Sequence, residues 1–418
     1  MARPSRCDLR VAAVSTYPPR ECGIGTFTRD LLHGLHTLPQ PVAVSVGAIN
    51  GAGEQYDYDA TVQLQMEEGN PRSYLAAAHA LNQMRTVDVV SIQHDFGKFG
   101  VWGDRFEEDY LVPMLRLLQK PTVVTMHSVT PHPNELMRQT VQGMGEHAQT
   151  IVVMANIAKV LLQEDYGLDD AALAKVQQIP HGVPRCPRTH ASASLEAAKR
   201  AVGMQGRRVV STFGLINEGK GIEYAIAAMP ALVEQFPDLV YLVIGQTHPE
   251  VRKVRGEKYR NDLRALAQRL GIEEHVRFVN RFLPQGELIR YLAATDVYVT
   301  PYLSRNQITS GTLAYALGCG KAIVSTPYLY AAEALADGRG VLAEFRSAES
   351  LANAIQHILA NPDVRHQVEH QAMRYGQEMG WPAVAASYRN LFCELRDEGS
   401  AARSPAGVAA QATPGISG

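Results

Sequence analysis

No stretch of about 18 consecutive apolar residues occurs anywhere in the chain, so the sequence offers no membrane-spanning helix. The opening MARPSRCDLR passes directly into VAAVS without the apolar stretch of a secretory leader, and the expectation is a soluble, cytoplasmic protein. Net charge is nearly absent as well: Lys+Arg 40 against Asp+Glu 42 leaves −2. That excludes a global field able to recruit nucleic acid or an acidic membrane, so any anionic ligand must be held locally. Cysteine is sparse. Cys7, Cys22, Cys186, Cys319 and Cys393 are far apart and show no C-x-x-C spacing, which argues against a zinc site or a disulfide framework and predicts reduced, structural thiols.

Apolar residues are plentiful, 46% against 20% charged, the balance of a globular protein with a large core. The 418 residues exceed what one ordinary core supports, so two domains are expected. Short apolar runs alternate with longer stretches of helical period, the pattern of βαβ units around a parallel sheet covered on both faces; the fold class is α/β. In the first half the runs 9–15, 42–46, 87–93, 121–126 and 151–153 read as strands, and in the second half 208–213, 239–244, 276–279, 297–300 and 322–325. Helical period falls over 26–36, 222–235, 261–270, 285–293 and 310–318. Between the halves, HGVPRCPRTHASASLEAAKR is poor in large apolar side chains and rich in Pro, Ser and Arg, a linker composition that puts the boundary near 184–205. Each half then carries its own Rossmann-like series of strands, a first domain over 1–190 and a second over 205–379. An amphipathic helix over 380–398 follows, with Trp381, Val384, Tyr388, Leu391 and Phe392 on one face. The small, polar end 399–418 reads as a disordered tail.

Open parallel sheets hold ligands at the carboxyl ends of their strands, so the loops there carry the candidate chemistry. After the first strand, STYPPRECGIGTFTRDL turns through Gly23-Ile24-Gly25 into a helix. Glycines there let backbone amides approach a phosphate or sugar oxygen, or simply make a tight turn. Two later strands end in His94-Asp95 and His127-Ser128; their imidazoles either donate to sugar hydroxyls and steady developing charge, or cap the strand ends on backbone. In the second half, VVSTFG runs into LINEGKG, where Lys220 between glycines offers a point charge to a diphosphate or forms an ordinary surface turn. Gly221 stands where a P-loop needs Ser or Thr, which excludes a P-loop. The fullest signal is VYVTPYLSRNQITSGTLAYALGCGKAIVST. A strand there leads through Arg305, Asn306 and Gln307 to a helix headed by Thr309, Ser310, Gly311 and Thr312. Thr309 or Ser310 serves as N-cap, and the free amides behind it face any anion in front. Capping alone does not account for three long polar side chains in the same mouth.

In chain order, YPPRECGIGTFT, TMHS, IPHGV, FGLINEGKG, DVYVTPY, QITSGTLAY and CGKAIVST resemble the motifs of the retaining glycosyltransferase family four, also called glycosyltransferase group 1. The likeness runs over nearly all of the chain, to about residue 395, and the shared order makes it far more specific than any single motif. The resemblance implies the GT-B architecture, two Rossmann-like doubly wound domains facing across a cleft, with the terminal helix packing back on the first. It implies a nucleotide-diphosphate sugar donor, GDP-mannose or UDP-glucose as first choices, held mainly by the second domain. A carbohydrate or other hydroxyl acceptor is held mainly by the first, no cofactor or metal is required, and anomeric configuration is retained. By position it implies catalytic roles for His127, Lys220 and Gln307. Donor contacts fall to Gly23, Gly25, Gly214, Asn217, Arg305, Asn306, Thr309, Ser310, Gly311, Thr312 and Tyr315, and acceptor or sugar contacts to Arg20, His94 and Asp95.

Departures from the family pattern sharpen these expectations. Leu215 replaces the arginine of an Arg/Lys phosphate pair, so charge neutralisation calls on Arg281, Arg305 or another cation; the lost charge-assisted bond is worth roughly 1.5–3 kcal/mol. The glutamates of an E-x7-E pair are Gln307 and Tyr315 here. Gln307 carries no charge, which excludes double displacement through it, and Tyr315 offers a ribose one hydroxyl and no carboxylate. The resulting expectation is front-face transfer of a hexosyl group, mannosyl or glucosyl, in which the diphosphate acts as base and is stabilised by Lys220 and the amides of Gly311 and Thr312. The alternatives are a sugar phosphorylase of the same architecture using inorganic phosphate, and a non-catalytic nucleotide-sugar-binding protein.

Overall fold

The computed structural model describes residues 9–103, 105–187 and 192–402; Cys7 and most of the stretch read as a tail lie outside the described residues. The chain divides into two compact units, Met1–Gly182 with Trp381–Gly418, and Val183–Gly380.

In the first unit, β1 (Arg10–Ser15), β2 (Ala43–Asn50), β3 (Val62–Glu67) and β4 (Val89–His94) precede a hairpin of β5 (Gly100–Trp102) and β6 (Phe106–Asp109); β7 (Thr122–Met126), β8 (Thr150–Val153) and β9 (Val176–Gln178) follow. All but the hairpin form one parallel sheet in the order β3-β2-β1-β4-β7-β8-β9. The second unit holds β10 (Arg208–Phe213), β11 (Leu239–Ile244), β12 (Val276–Val279), β13 (Val297–Thr300), β14 (Ala322–Ser325) and β15 (Val341–Leu342). They form a parallel sheet in the order β12-β11-β10-β13-β14-β15. VVSIQH of β4 and LVYLVI of β11 are buried along their whole length. Burial along a whole strand is what coverage on both faces produces, with β11 a continuous apolar run and β4 carrying Ser91, Gln93 and His94 inside. In each sheet the strand order reverses beside the unit's first strand, between β1 and β4 and between β10 and β13. Connections leave in opposite directions there and open a crevice at the carboxyl ends.

The stretch of linker composition contains a helix, Ser192–Ala201, because SASLEAAKRA is made largely of good helix formers. Its Lys199, 6% exposed, reaches Asp296 at 2.9 Å. Arg365 meets the same carboxylate at 2.8 Å and bonds Glu369 at 2.8 Å. Asp296 also accepts the Val209 backbone N–H at 2.7 Å. One carboxylate therefore joins β10, the segment entering β13, the Ser192–Ala201 helix and the Pro362–Glu378 helix, at the edge of the sheet opposite the crevice. Lys321, next to β14, donates to the carbonyls of Ala293 and Thr295 at 3.2 Å beside it.

Contrary to the expectation of reduced thiols throughout, Cys186 and Cys319 are joined by a disulfide, with Cα atoms 5.0 Å apart. Their sequence separation of 133 hid the pair, since spacing along a chain says nothing about two loops that the fold brings together. Cys22 and Cys393 form no disulfide. The last helix runs Trp381–Ala402, past the expected end at 398. It inserts Trp381, Val384, Tyr388 and Phe392 into the first unit's core with Phe27 and Leu31. Gly34 marks the closest approach: a Cβ there would stand 3.0 Å from that of Ala385.

Replacing Asp296 by Ala leaves Lys199 and Arg365 without their shared carboxylate in a largely buried setting. The expected loss is about 3–5 kcal/mol, measured by chemical denaturation; a loss below about 1 kcal/mol would match a surface pair instead.

Candidate functional site

At the crevice of the second sheet, β10 ends at Phe213 and the chain passes Gly214 into the short turn Glu218–Lys220 and the helix Ile222–Gln235. β13 ends at Thr300 and leads through 301–310 into the helix Gly311–Gly318. These two loops meet backbone to backbone. A Cβ on Gly221, whose φ is 61°, would stand 2.0 Å from the Pro301 carbonyl oxygen, and the Leu303 N–H donates to the Gly219 carbonyl at 3.0 Å. A Cβ on Gly214 would lie 3.3 Å from Thr312 Cγ2 and 4.0 Å from Lys220 Cε, so Gly214, Lys220 and Thr312 are gathered at one point.

Lys220 Nζ lies 3.9 Å from the centroid of the Tyr302 ring, and the Tyr302 hydroxyl shares a 2.6 Å hydrogen bond with Thr312 Oγ1. Tyr302, 1% exposed and stacked on Tyr328 at 5.2 Å, is a fixed plate between the ammonium and the helix start. Tyr302 closes the motif DVYVTPY but is not among the residues expected at the site; its signal in the sequence is an aromatic two residues past a strand end. Ser310 proves to be the N-cap, its Oγ accepting the Leu313 N–H at 3.3 Å, while Thr309 Oγ1 is buried without a partner. The N–H groups of Gly311 and Thr312 fall in the first turn, where no intrahelical acceptor reaches them. One full positive charge, hydroxyls and helix-start amides make a setting for a phosphate or diphosphate.

Other expected donor residues are placed differently. Arg305 lies over the Phe345 ring at 4.3 Å, and Arg281 is bonded to Glu287, one of its bonds being 2.7 Å. Both cations expected to replace the missing arginine are thus engaged elsewhere, one on an aromatic face and one on a carboxylate six residues along. Gln307 Nε2 donates to the Thr309 carbonyl at 2.9 Å, and its own carbonyl accepts the Tyr330 N–H at 3.0 Å. The Asn217 carbonyl accepts the Lys220 N–H at 3.0 Å, and Asn306 is exposed. Tyr315, 7% exposed, accepts from Gln285 Nε2 at 3.2 Å.

At the crevice of the first sheet, Gly23 and Gly25 form the opening turn of the helix Gly23–Thr37 instead of a loop before it. A Cβ on Gly25 would stand 3.3 Å from the Thr16 carbonyl group, whereas Gly23 faces open space. His127 Nε2 lies 2.9 Å from Gln93 Oε1, and its ring meets Phe27 edge-on at 4.9 Å. With the Gln93 oxygen assigned there, Nε2 carries the proton and Nδ1 is left as an acceptor, where donation was expected. Burial, with repulsion from His181 and His94, pushes its pKa down to about 3.

His94 is wholly enclosed. It is 0% exposed, both ring nitrogens lack partners, and burial pushes its pKa down to about 3. Asp95 accounts for the enclosure: its Oδ1 accepts the Gly97 N–H at 3.1 Å and its carbonyl accepts the Lys98 N–H at 2.9 Å. That turn folds Phe96 and Phe99 against the imidazole, at 4.8 and 5.6 Å between ring centroids. Arg20 donates to the Ile49 carbonyl at 3.0 Å and to Glu68 at 2.9 Å, and Lys98 joins Glu68 at 2.7 Å. Of the first-unit candidates, the structure leaves His127 with a hydrogen-bonding atom to offer and uses Arg20, His94 and Asp95 to build the edge. Among the described residues, no group of three or more metal-ligating side chains occurs, and no helix is long and apolar enough to cross a membrane.

Residues 196–375, which include both loops around Lys220 and Ser310, match the family model described as glycosyl transferases group 1. That segment, less than half of the chain, is similar to the group 1 glycosyltransferases. A relative, the D-inositol 3-phosphate glycosyltransferase of Corynebacterium urealyticum, is 26% identical over 273 residues, 64% of this chain and 62% of that protein. A GDP-mannose-dependent alpha-(1-6)-phosphatidylinositol monomannoside mannosyltransferase of Mycolicibacterium smegmatis is 24% identical over 234 residues, 54% and 56% of the two chains. The chain spans 46% to 62% of the length of the first curated relatives it matches. Among solved structures, HepE of Anabaena in complex with UDP and glucose aligns with a TM-score of 0.69 over 92% of this chain and 99% of that one, at 13% identity. The fold is GT-B.

The buried histidines set an acid limit on stability. His94, His127 and His181 are depressed from 6.5 to about 3, about 3 and about 4, each chiefly by burial. Below the unfolded value of 6.5 the unfolded chain binds protons that the folded one does not. Their contribution is therefore complete above pH 6.5 and lost as pH falls toward the folded values, at about 1.4 kcal/mol per pH unit for each group. Thermal unfolding followed by circular dichroism should show Tm falling between about pH 6.5 and about pH 5, and His94→Leu should reduce the slope by about a third.

Proposed function

We propose that this chain transfers a hexosyl group, mannosyl or glucosyl, from a nucleotide-diphosphate sugar to a hydroxyl acceptor with retention of anomeric configuration. The observation that carries the reading is the meeting of Lys220, Tyr302, Thr312 and the Ser310-capped helix at the switch point of the second sheet. As the bond from the anomeric carbon to the diphosphate lengthens, negative charge grows on the leaving oxygen. Lys220 and the amides of Gly311 and Thr312 are fixed beforehand to meet it. The acceptor hydroxyl attacks from the face the diphosphate leaves and gives its proton to a departing phosphate oxygen. Gln307, an amide, supplies a neutral contact near the sugar and no nucleophile. His127, neutral and with Nδ1 as its acceptor atom, is suited to orient a sugar hydroxyl without adding charge to the transition state.

The donor trials follow from the relatives. The mycobacterial relative is named for GDP-mannose and the Anabaena structure for UDP and glucose, so GDP-mannose and UDP-glucose come first. The inositol phosphate in the corynebacterial relative's name makes a phosphorylated cyclitol the first acceptor to try beside neutral sugars.

Calorimetry with UDP, GDP, ADP and inorganic phosphate decides the class. A nucleoside diphosphate should bind and phosphate alone should not; the reverse would replace the transferase reading with that of a sugar phosphorylase. Given binding, Lys220→Ala should lower kcat by about a hundredfold or more with Tm unchanged. A folded Lys220→Ala protein with full turnover would reject the assignment.

A further inference from the structure

The site as described holds one cation, where a diphosphate carries at least two negative charges. Leu215 occupies the place of a second cation, and Arg281 and Arg305 are engaged elsewhere. A different arginine stands behind the crevice. Arg260 lies on the helix Lys258–Arg269 and is 1% exposed. Its NH2 group donates to the Gly245 carbonyl at 2.8 Å and its Nε to Glu257 at 3.1 Å. Its NH1 group is buried with no hydrogen-bond partner.

Gly245 follows β11 and is pressed onto the loop after β10. Its φ is 124°, and a Cβ there would stand 1.9 Å from the Gly214 carbonyl oxygen. Gly214 in turn lies against Lys220 and Thr312. The order of layers is therefore guanidinium, Gly245, Gly214, then the crevice point where Lys220 and Thr312 meet. Two glycines in positive-φ conformations leave only backbone between the buried charge and the crevice. Glu257, the carboxylate bonded to Arg260, is 36% exposed and also accepts from Thr247. A charge so buried is weakly screened, and a solvated, shared carboxylate cancels it only in part. Burial lowers the Arg260 pKa while Glu257 raises it, the net direction being down; the surroundings thus undercompensate the cation.

We propose that Arg260 is the second cation of the donor site, a positioning residue that acts through the Gly214–Gly245 floor and supplies the positive potential that Leu215 cannot. The inference rests on the transferase reading of the crevice. It predicts selective recognition of the diphosphate part of the donor, with the nucleoside part indifferent to Arg260.

The test is calorimetric titration of wild type, Arg260→Met, Arg260→Lys and Glu257→Gln with UDP, GDP and ADP, and with the matching nucleosides, beside thermal unfolding of each variant. Arg260→Met should weaken the diphosphate that wild type binds by about tenfold or more and leave the nucleoside unchanged; Arg260→Lys should recover most of the loss. A folded Arg260→Met protein that binds the diphosphate as wild type does, or weakens nucleoside and diphosphate alike, overturns the proposal. If Arg260→Met does not fold, Glu257→Gln decides: removing the partial counter-charge should tighten diphosphate binding, and unchanged or weaker binding overturns it. Wild type that binds no nucleoside diphosphate refutes the underlying transferase reading instead, so the two failures are distinguishable.

Discussion

The second sheet's crevice depends on backbone lying against backbone. Gly221 rests on the Pro301 carbonyl and Gly245 on that of Gly214, in each case with less than a side chain's room between them. Three loops, after β10, β11 and β13, are thereby fused into one surface. Lys220 and Thr312 meet there because no side chain intervenes. At the opposite edge Asp296 gathers the entry to β13, the start of β10 and two helices. Fixing where the strands begin fixes where parallel strands of similar length end, so the buried ion network and the glycine contacts constrain the same geometry from its two ends.

Charge is distributed unequally between the two crevices. In the first unit Arg20 and Lys98 share the single carboxylate of Glu68, and burial keeps His94, His127 and His181 neutral near pH 7. His127 there offers a hydrogen-bonding atom without a charge of its own. In the second unit Lys220 sits beside the first turn of the Gly311–Gly318 helix, and the field there is positive. With an overall charge of −2, the chain depends on a local cation at this crevice and not on a global field to hold an anion.

The strands that surround the second crevice were legible because each is a compact apolar run closed by a turn residue; β10, β11, β12, β13 and β14 begin and end where those runs do. The strands that escaped notice sit at sheet edges or are very short. β3 has a single buried position among part-buried and exposed ones, and β9 and β15 span only three and two residues, too few to generate a periodic signal. The start of the first helix was misjudged because two glycines suggest a turn, whereas tertiary contact at Gly25 overrides their low helix propensity. Lys220 and Ser310 were legible as local chemistry, one a cation between glycines and the other a cap. Tyr302 and Arg260 were not, since their roles arise from ring stacking and from burial under a distant loop. The Cys186–Cys319 pair escaped for the same reason: long-range proximity leaves no trace in local spacing.

Position 307 shows how a departure from the family pattern becomes intelligible in three dimensions. The Gln307 amide donates to the Thr309 carbonyl, two residues on, while its backbone carbonyl holds Tyr330. A carboxylate cannot donate, and a glutamate in this rotamer would set two oxygens against each other just ahead of the Ser310 cap. The glutamine therefore stabilises the loop that leads into the helix. A crevice with Lys220 as its one cation in direct reach has less positive charge to offer than an Arg/Lys pair would. Leu215 in place of arginine removes a positive charge and Gln307 in place of glutamate removes a negative one, so the two departures from the family pattern are opposite in sign.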